Sequence, residues 1–401
     1  MYQPPRTIPL NHILPSEPLL LMGAGPVPIP HAVAQANGVV INHLGNTMNR
    51  VIDEVKLMGK YAFQTSSDKV MGVAGPSSAA MEMAITNLLW PGRKALILKN
   101  GTFSGRMGEM AEAVGAEVTL LELGANKPFT SEIVREELAK NRYDVVTMVQ
   151  GETSCGVCNV DLPGIVDVCK EYEALTIVDA VCTLSTMPME MDNWAVDVVI
   201  TGGQKGISTI PGVSLIAFSE DAWKVIEKRP NLPVHWCLDA IRTFRFWGEH
   251  QYHYTAPVPG ILAMYEALRI ICEETLEERF YRHKTSSLAL QQGIEAMGLE
   301  LFIPKEYRLN SVVAIRLPDN CSGDDVRQLM IDKFNVEISG AFGLNILRVG
   351  QMGEQCRSHN LFKTLYAMGV SFKQNGVALN VSDGMATMEK CLSEDPERFI
   401  I

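Results

Sequence analysis

Six short apolar runs punctuate the first half of the chain, with longer segments of helical spacing between them. Lys94 to Leu98, Glu117 to Leu121, Val145 to Val149, Leu175 to Val178, Val196 to Ile200 and Val213 to Phe218 read as strands. Ala79 to Leu89, Ser104 to Val114, Ser131 to Lys140 and Gly164 to Tyr172 read as the helices that alternate with them. Near-continuous apolar strands suit a sheet covered on both faces, so the alternation predicts an α/β fold around a mostly parallel sheet. Ahead of it, residues 1 to about 20 are broken by Pro9, Pro15 and Pro18 and are predicted to lie as an extended arm across a neighbouring surface.

After Pro257-Val258-Pro259-Gly260 the pattern changes to one long helical stretch, Ile261 to Ala296. Strand-like Ser311 to Ile315, helix-like Ser322 to Phe334, strand-like Ile346 to Val349 and a final helix near Ser358 to Met368 follow it. This pattern divides the chain into an N-terminal arm (1–20), a large domain (21–260), and a linking helix with a small C-terminal α+β domain (261–401).

Composition narrows the function classes. A formal net charge of −11 with no dense Lys/Arg cluster disfavours nucleic acid as a partner and favours a small-molecule substrate. No apolar stretch reaches bilayer-spanning length, so no membrane partner is expected. The proline-broken start has no signal-peptide core. Nine cysteines, an odd number scattered from Cys155 to Cys391, do not make the framework of a secreted scaffold and point to the reducing cytosol.

Chemistry-bearing residues gather at the predicted carboxyl ends of strands, where open α/β sheets bind ligands. Asp179 ends one apolar run, and Lys205 follows another behind Gly202-Gly203-Gln204. A lysine that can form a Schiff base with an aldehyde, and a carboxylate that can keep a pyridine nitrogen protonated, are what pyridoxal phosphate needs. Taken alone, each residue is more often a surface lysine or a strand-end cap. Ser77 and Ser78 open a helix and offer either a phosphate-binding N-terminus or an ordinary serine cap. Phe103 either faces a flat heterocycle or packs in the core, and Thr153 sits in a hydroxyl-rich turn. Arg348, in a C-terminal strand, is suited to a substrate carboxylate or to a structural ion pair. Cys155-x-x-Cys158 lacks a second ligand pair and Glu249 to His253 lacks helical HExxH spacing, so no metal is expected. Gly23-Ala24-Gly25-Pro26 fails as a dinucleotide fingerprint because prolines crowd the segment that should start a helix.

Taken in order, these motifs resemble those of the class V aminotransferases of fold-type I, most closely the alanine:glyoxylate and serine:pyruvate branch, over about Leu19 to Leu392. The resemblance implies a homodimer with shared active sites that binds pyridoxal 5′-phosphate and transfers an amino group from a small amino acid to a 2-oxo acid. It implies that Lys205 forms the Schiff base and acts as catalytic base, that Asp179 is the catalytic partner of the pyridine nitrogen, and that Gln204, Ser77 and Ser78 hold phosphate. Phe103 stacks on the cofactor and Thr153 approaches its ring. Tyr252 and Thr255 reach phosphate from the neighbouring subunit, while Gly25 lines the substrate pocket and Arg348 grips the α-carboxylate. Asn42 to Met48 departs from the family's Gly-His-x-x-Pro-like stretch, and Gln351 stands where a histidine is common. Ureidoglycine:glyoxylate and pyridoxamine:pyruvate aminotransferases are alternatives within the branch. More distant are a cysteine desulfurase-like lyase using Cys321, disfavoured by Gln204 ahead of Lys205, and a noncatalytic ligand-binding module.

Overall fold

A computed structural model describes residues 2–233 and 235–394. Residues 2–18 are exposed throughout, with a single turn of 3₁₀ helix at Leu10–His12. β1 (Leu20–Leu21), α1 (His31–Asn37) and α2 (Asn46–Phe63) lead into the alternating region. That region runs β2 (Val70–Ala74), α3 (Ser77–Leu88), β3 (Lys94–Lys99), α4 (Thr102–Ala113), β4 (Glu117–Glu122), α5 (Ser131–Leu138) and β5 (Val145–Val149). A hairpin of β6 (Gly151–Glu152) and β7 (Val157–Cys158) precedes α6 (Leu162–Glu171), β8 (Leu175–Asp179), β9 (Val198–Gly202) and β10 (Val213–Phe218). α7 (Glu220–Glu227), α8 (Ala240–Glu249) and α9 (Val258–Glu274) follow. The remainder comprises α10 (Leu276–Met297), β11 (Val312–Arg316), α11 (Gly323–Phe334), β12 (Val336–Glu337), β13 (Ile346–Gly350), α12 (Ser358–Gln374) and α13 (Val381–Ser393).

The main sheet has the order β2-β10-β9-β8-β5-β3-β4. β10 runs antiparallel to β2 and β9, and the remaining neighbours are parallel, as the mostly parallel reading expects. β5, β9 and β10 are buried on both faces, which explains their largely apolar character, whereas the edge strand β4 is partly exposed. One apolar core surrounds this sheet and reaches Leu276 at the start of α10; a second lies among α10, α11, α12, α13, β11 and β13. Met22 belongs to the second core, because β1 pairs in parallel with β12 and so ties the start of the described chain to its C-terminal part.

Three local readings are corrected. The stretch Ile261 to Ala296 is two helices, broken at Thr275, whose φ of 68° and ψ of 153° take it out of helical space while its hydroxyl caps Glu278 N–H at 3.4 Å. No proline or glycine marks that break in the sequence. The strand placed at Val196 to Ile200 begins at Val198, because Ala195 has a positive φ and Asp197 turns its carboxylate back to Lys170 at 2.6 Å and to Thr176 N–H at 2.9 Å. The helix ending near Met368 continues to Gln374, and α13 follows it.

Candidate active site

β8 and β9 are parallel neighbours, with Asp179 opposite Ile200, so their carboxyl ends deliver Asp179 and the Gly203-Gln204-Lys205 turn to one edge of the sheet. The N-terminus of α3 brings Ser77 and Ser78 there, the first turn of α4 brings Phe103, and the β6–β7 turn brings Thr153. With Gly25 they line a cavity of about 290 Å³ that also includes Gln204 and Lys205. That volume is close to the lower limit for small-molecule sites. A roomier hollow of about 660 Å³ beside Phe302 and Arg308 has no lysine, histidine or cysteine in its lining.

Burial sets the electrostatics. Removal from water raises the Asp179 carboxyl to about 7, against the stabilising N–H of Val181 at 2.7 Å and with a further upward push from the charge of Glu152. The Lys205 amine moves the other way, down to about 8, first through burial and then through the positive charge of Arg348, while Cys182 and Asp179 oppose the shift. Both groups therefore titrate near neutrality, which is unusual for their types.

Close packing dictates the glycines. A Cβ on Gly25 would lie 2.6 Å from Lys205 Nζ, and the φ of +107° there disfavours any side chain. The lysine amine donates to the carbonyl of the neighbouring Ala24. A Cβ on Gly203 would lie 2.5 Å from the Ile210 carbonyl, so the turn that presents Lys205 has room only for hydrogen. Gln204 Nε2 donates to Ser77 Oγ at 3.0 Å, while Gln204 Oε1 is buried without a hydrogen-bond partner.

Glu152, fully buried, was missed from sequence and organises one wall. Its carboxylate accepts from the N–H groups of Ser104 at 2.8 Å and Phe103 at 3.3 Å, and from the Ser154 hydroxyl at 2.6 Å. One carboxylate thus satisfies two of the orphan donors of α4 and locks Phe103 to the turn that carries Thr153. Arg106, Met81 and Val181 also line the cavity and were not singled out from sequence. Arg106 lies three residues after Phe103 on α4, a spacing that shares a helix face and gave a usable signal.

Arg348 is not in the lining. It is buried behind it, with Nη1 donating to the Thr153 carbonyl and Nε to the Gly340 carbonyl, each at 2.8 Å, and it pairs with no carboxylate among the described residues. Tyr252 and Thr255 are exposed and do not join this cavity within the chain; the Tyr252 ring instead meets His43 at 6.0 Å. Cys321 is partly buried against the second core and is not in the cavity lining, which removes the geometric basis for a desulfurase nucleophile. Cys155 and Cys158 are buried thiols pushed up to about 12 by desolvation, and the latter packs with Cys182 in a separate cluster. They are inert by pKa and burial.

The cavity fits pyridoxal phosphate on its own terms. A desolvated amine and a desolvated carboxyl share one chamber with an aromatic wall, and a helix N-terminus without a side-chain cap, carrying two hydroxyls, marks an anion-accepting end.

Comparison with known proteins gives consistent results. The family Aminotransferase class-V matches residues 31–372. An alanine–glyoxylate aminotransferase of Oryctolagus cuniculus is 33% identical over 358 residues, covering 87% of this chain and 91% of its own. Among solved structures, a ureidoglycine–glyoxylate aminotransferase from Bacillus subtilis superposes with a TM-score of 0.92 at 28% identity, covering 95% of this chain and all of the other. An alanine–glyoxylate aminotransferase from Nostoc sp. superposes at 0.86 with 32% identity, covering 92% and 100%.

Proposed function

The chain belongs to the class-V aminotransferase family, and from that premise we propose that it moves an amino group from alanine or serine to glyoxylate or pyruvate, using pyridoxal 5′-phosphate held at Lys205. The observation that carries this reading is the pairing of a desolvated Lys205 amine with a desolvated Asp179 carboxyl in one cavity. When bound, the cofactor supplies an aldehyde that accepts the amino group and a ring that accepts electrons.

The chain's own residues do the rest. With its amine near 8, about a tenth of Lys205 is neutral at pH 7, against ~0.03% for a lysine at its ordinary value, so Nζ is available as nucleophile and as carrier of the substrate Cα proton. Asp179, ionised beside a protonated ring nitrogen, would keep that nitrogen charged; the nearby positive charge in turn draws the carboxyl below its value in the empty cavity. Ser77, Ser78 and Gln204 would hold phosphate, Phe103 would cover the ring, and Thr153 would offer it a hydroxyl. Arg348 would exchange carbonyl contacts for the bidentate embrace of a substrate carboxylate, a stronger pairing for a guanidinium. Gly25 keeps the space beside Nζ open.

Glyoxylate appears in the names of all three relatives described above, which supports it as acceptor. The high overlap with the Bacillus subtilis structure favours a second reading, in which ureidoglycine is the donor. A panel of amino donors against glyoxylate and pyruvate separates the two: alanine or serine should give the highest kcat/KM, and a preference for ureidoglycine, or for pyridoxamine with pyruvate, would replace that donor assignment.

A homodimer is part of the same proposal, supported by the exposure of Tyr252 and Thr255 and by their absence from the cavity's lining within the chain. Mixing Lys205→Ala with Thr255→Ala subunits should restore activity by forming one intact site per mixed dimer; no recovery after demonstrated subunit exchange would count against shared sites. The nine free thiols support residence in the reducing cytosol, and recovery of the protein in an oxidising compartment on cell fractionation would contradict it.

A further inference from the structure

The phosphate end of the cavity, as read above, is built from Ser77, Ser78 and Gln204, none of which carries charge. We infer that Arg106 is the charged ligand of that end, an inference that rests on the pyridoxal phosphate reading. Arg106 lines the same cavity, and its Nη1 donates to Ser78 Oγ at 3.1 Å. Its guanidinium stands over the Phe103 ring, 5.0 Å from the centroid, and it forms no ion pair among the described residues.

The electrostatic argument is one of balance. A phosphate monoester carries about −1.5 to −2 charges at neutral pH, and transferring it into a half-closed cavity without a countercharge is costly. A helix N-terminus offers only about half a positive charge. Of the two cations that line the cavity, the Lys205 amine is committed to the cofactor's aldehyde. Arg348 lies behind the lining with its donors on the Thr153 and Gly340 carbonyls. Arg106 remains, positioned by Ser78 at one nitrogen and by the ring of Phe103 beneath it, so that its planar fork is pre-organised for an oxyanion. Ser78, accepting from Arg106, has its own hydroxyl proton left to donate in the same direction.

The test compares two ligands that differ only in the phosphate. Apo-protein is titrated with pyridoxal 5′-phosphate and with pyridoxal, following the absorbance of the lysine-bound form, for wild type, R106Q and R106K, with circular dichroism to verify folding. R106Q should weaken pyridoxal 5′-phosphate by ~10- to 100-fold, the size of one hydrogen-bonded charge, while pyridoxal changes by less than about twofold. R106K should fall between, keeping the charge without the fork. Equal losses for both ligands would reduce Arg106 to a packing residue for Phe103, and no loss for either would remove it from the site; both outcomes overturn the inference alone. A wild type that takes up neither ligand at Lys205 would instead overturn the cofactor reading beneath it.

Discussion

Asp179→Asn is expected to stabilise the cofactor-free protein relative to wild type as pH rises, while it damages the reaction. Burial holds the carboxyl at about 7, whereas in the unfolded chain it returns to the ordinary 3.8. Between those values the unfolded state has lost its proton and the native state retains it, so wild-type stability falls with rising pH. Integrated over the shift, the cost is ~2 kcal/mol at pH 5 and ~4 kcal/mol at pH 8. Asparagine does not ionise, but it brings an amide N–H with no evident acceptor, a fixed cost of about 1–3 kcal/mol that hardly depends on pH. The change in the difference between the two proteins does not depend on that fixed cost: ~2–3 kcal/mol in favour of the variant on going from pH 5 to pH 8. A chain of this length loses ~0.8 kcal/mol of unfolding free energy per degree near its midpoint, so the melting difference should move by about 3 °C. Apo-proteins melted at equal concentration at the two pH values provide the assay. An unchanged gap would mean that the carboxyl is not held near neutrality. With cofactor bound, the order should reverse, and near-normal single-turnover rates in the variant would remove Asp179 from its catalytic role.

Glu274 pairs with both Arg279 at 2.7 Å and Arg282 at the end of α9, where those arginines also reach the Gly206 and Gly353 carbonyls. Burial alone would raise its carboxyl, but the two guanidinium groups hold it down to about 2, so its stabilisation is present above about 4.5 and is lost as pH falls through 2. Glu274→Gln should cost ~3–5 kcal/mol, or about 4–6 °C of melting temperature at pH 7, with the gap to wild type narrowing below pH 4.5; a variant within a degree of wild type at pH 7 contradicts this. Gly25→Ala should fold, yet displace the Lys205 amine and slow cofactor uptake at least ~10-fold, because its Cβ overlaps Nζ and its φ is unfavourable. Unchanged uptake kinetics would show that the loop yields freely.

The parts of the fold most legible in sequence were those governed by local pattern. Val145 to Val149 and Val213 to Phe218 match β5 and β10 residue for residue, because buried strands of a double-covered sheet are apolar throughout. β2 escaped notice because Gly72 interrupts its apolar run, and that glycine is demanded from far away: the Trp247 ring lies where its Cβ would be, at 2.2 Å. α2 carries a readable signature, with Met48, Ile52, Val55 and Gly59 buried at helical spacing, most of it beyond the Asn42 to Met48 motif. In the site, Asp179, Lys205, Ser77 and Phe103 could be named because each follows a strand or opens a helix, where ligands gather. Glu152 could not, since its role is to bond with residues 48 and 49 positions earlier in the chain, and nothing in Gly151-Glu152-Thr153 announces a buried carboxylate. Arg348 was legible as a guanidinium suited to a carboxylate, but its burial and its contacts with the Thr153 and Gly340 carbonyls are a product of tertiary packing.

The central claim is that pyridoxal phosphate is joined to Lys205, and it can be tested at the level of the covalent bond. Purified protein saturated with pyridoxal 5′-phosphate is reduced with borohydride, digested and mapped by mass spectrometry, alongside Lys205→Ala treated in the same way. The account predicts a reduced cofactor adduct on the peptide containing Gly202-Gly203-Gln204-Lys205 and none at that position in the variant. An adduct confined to other lysines, or one of equal yield in the Lys205→Ala protein, would contradict it.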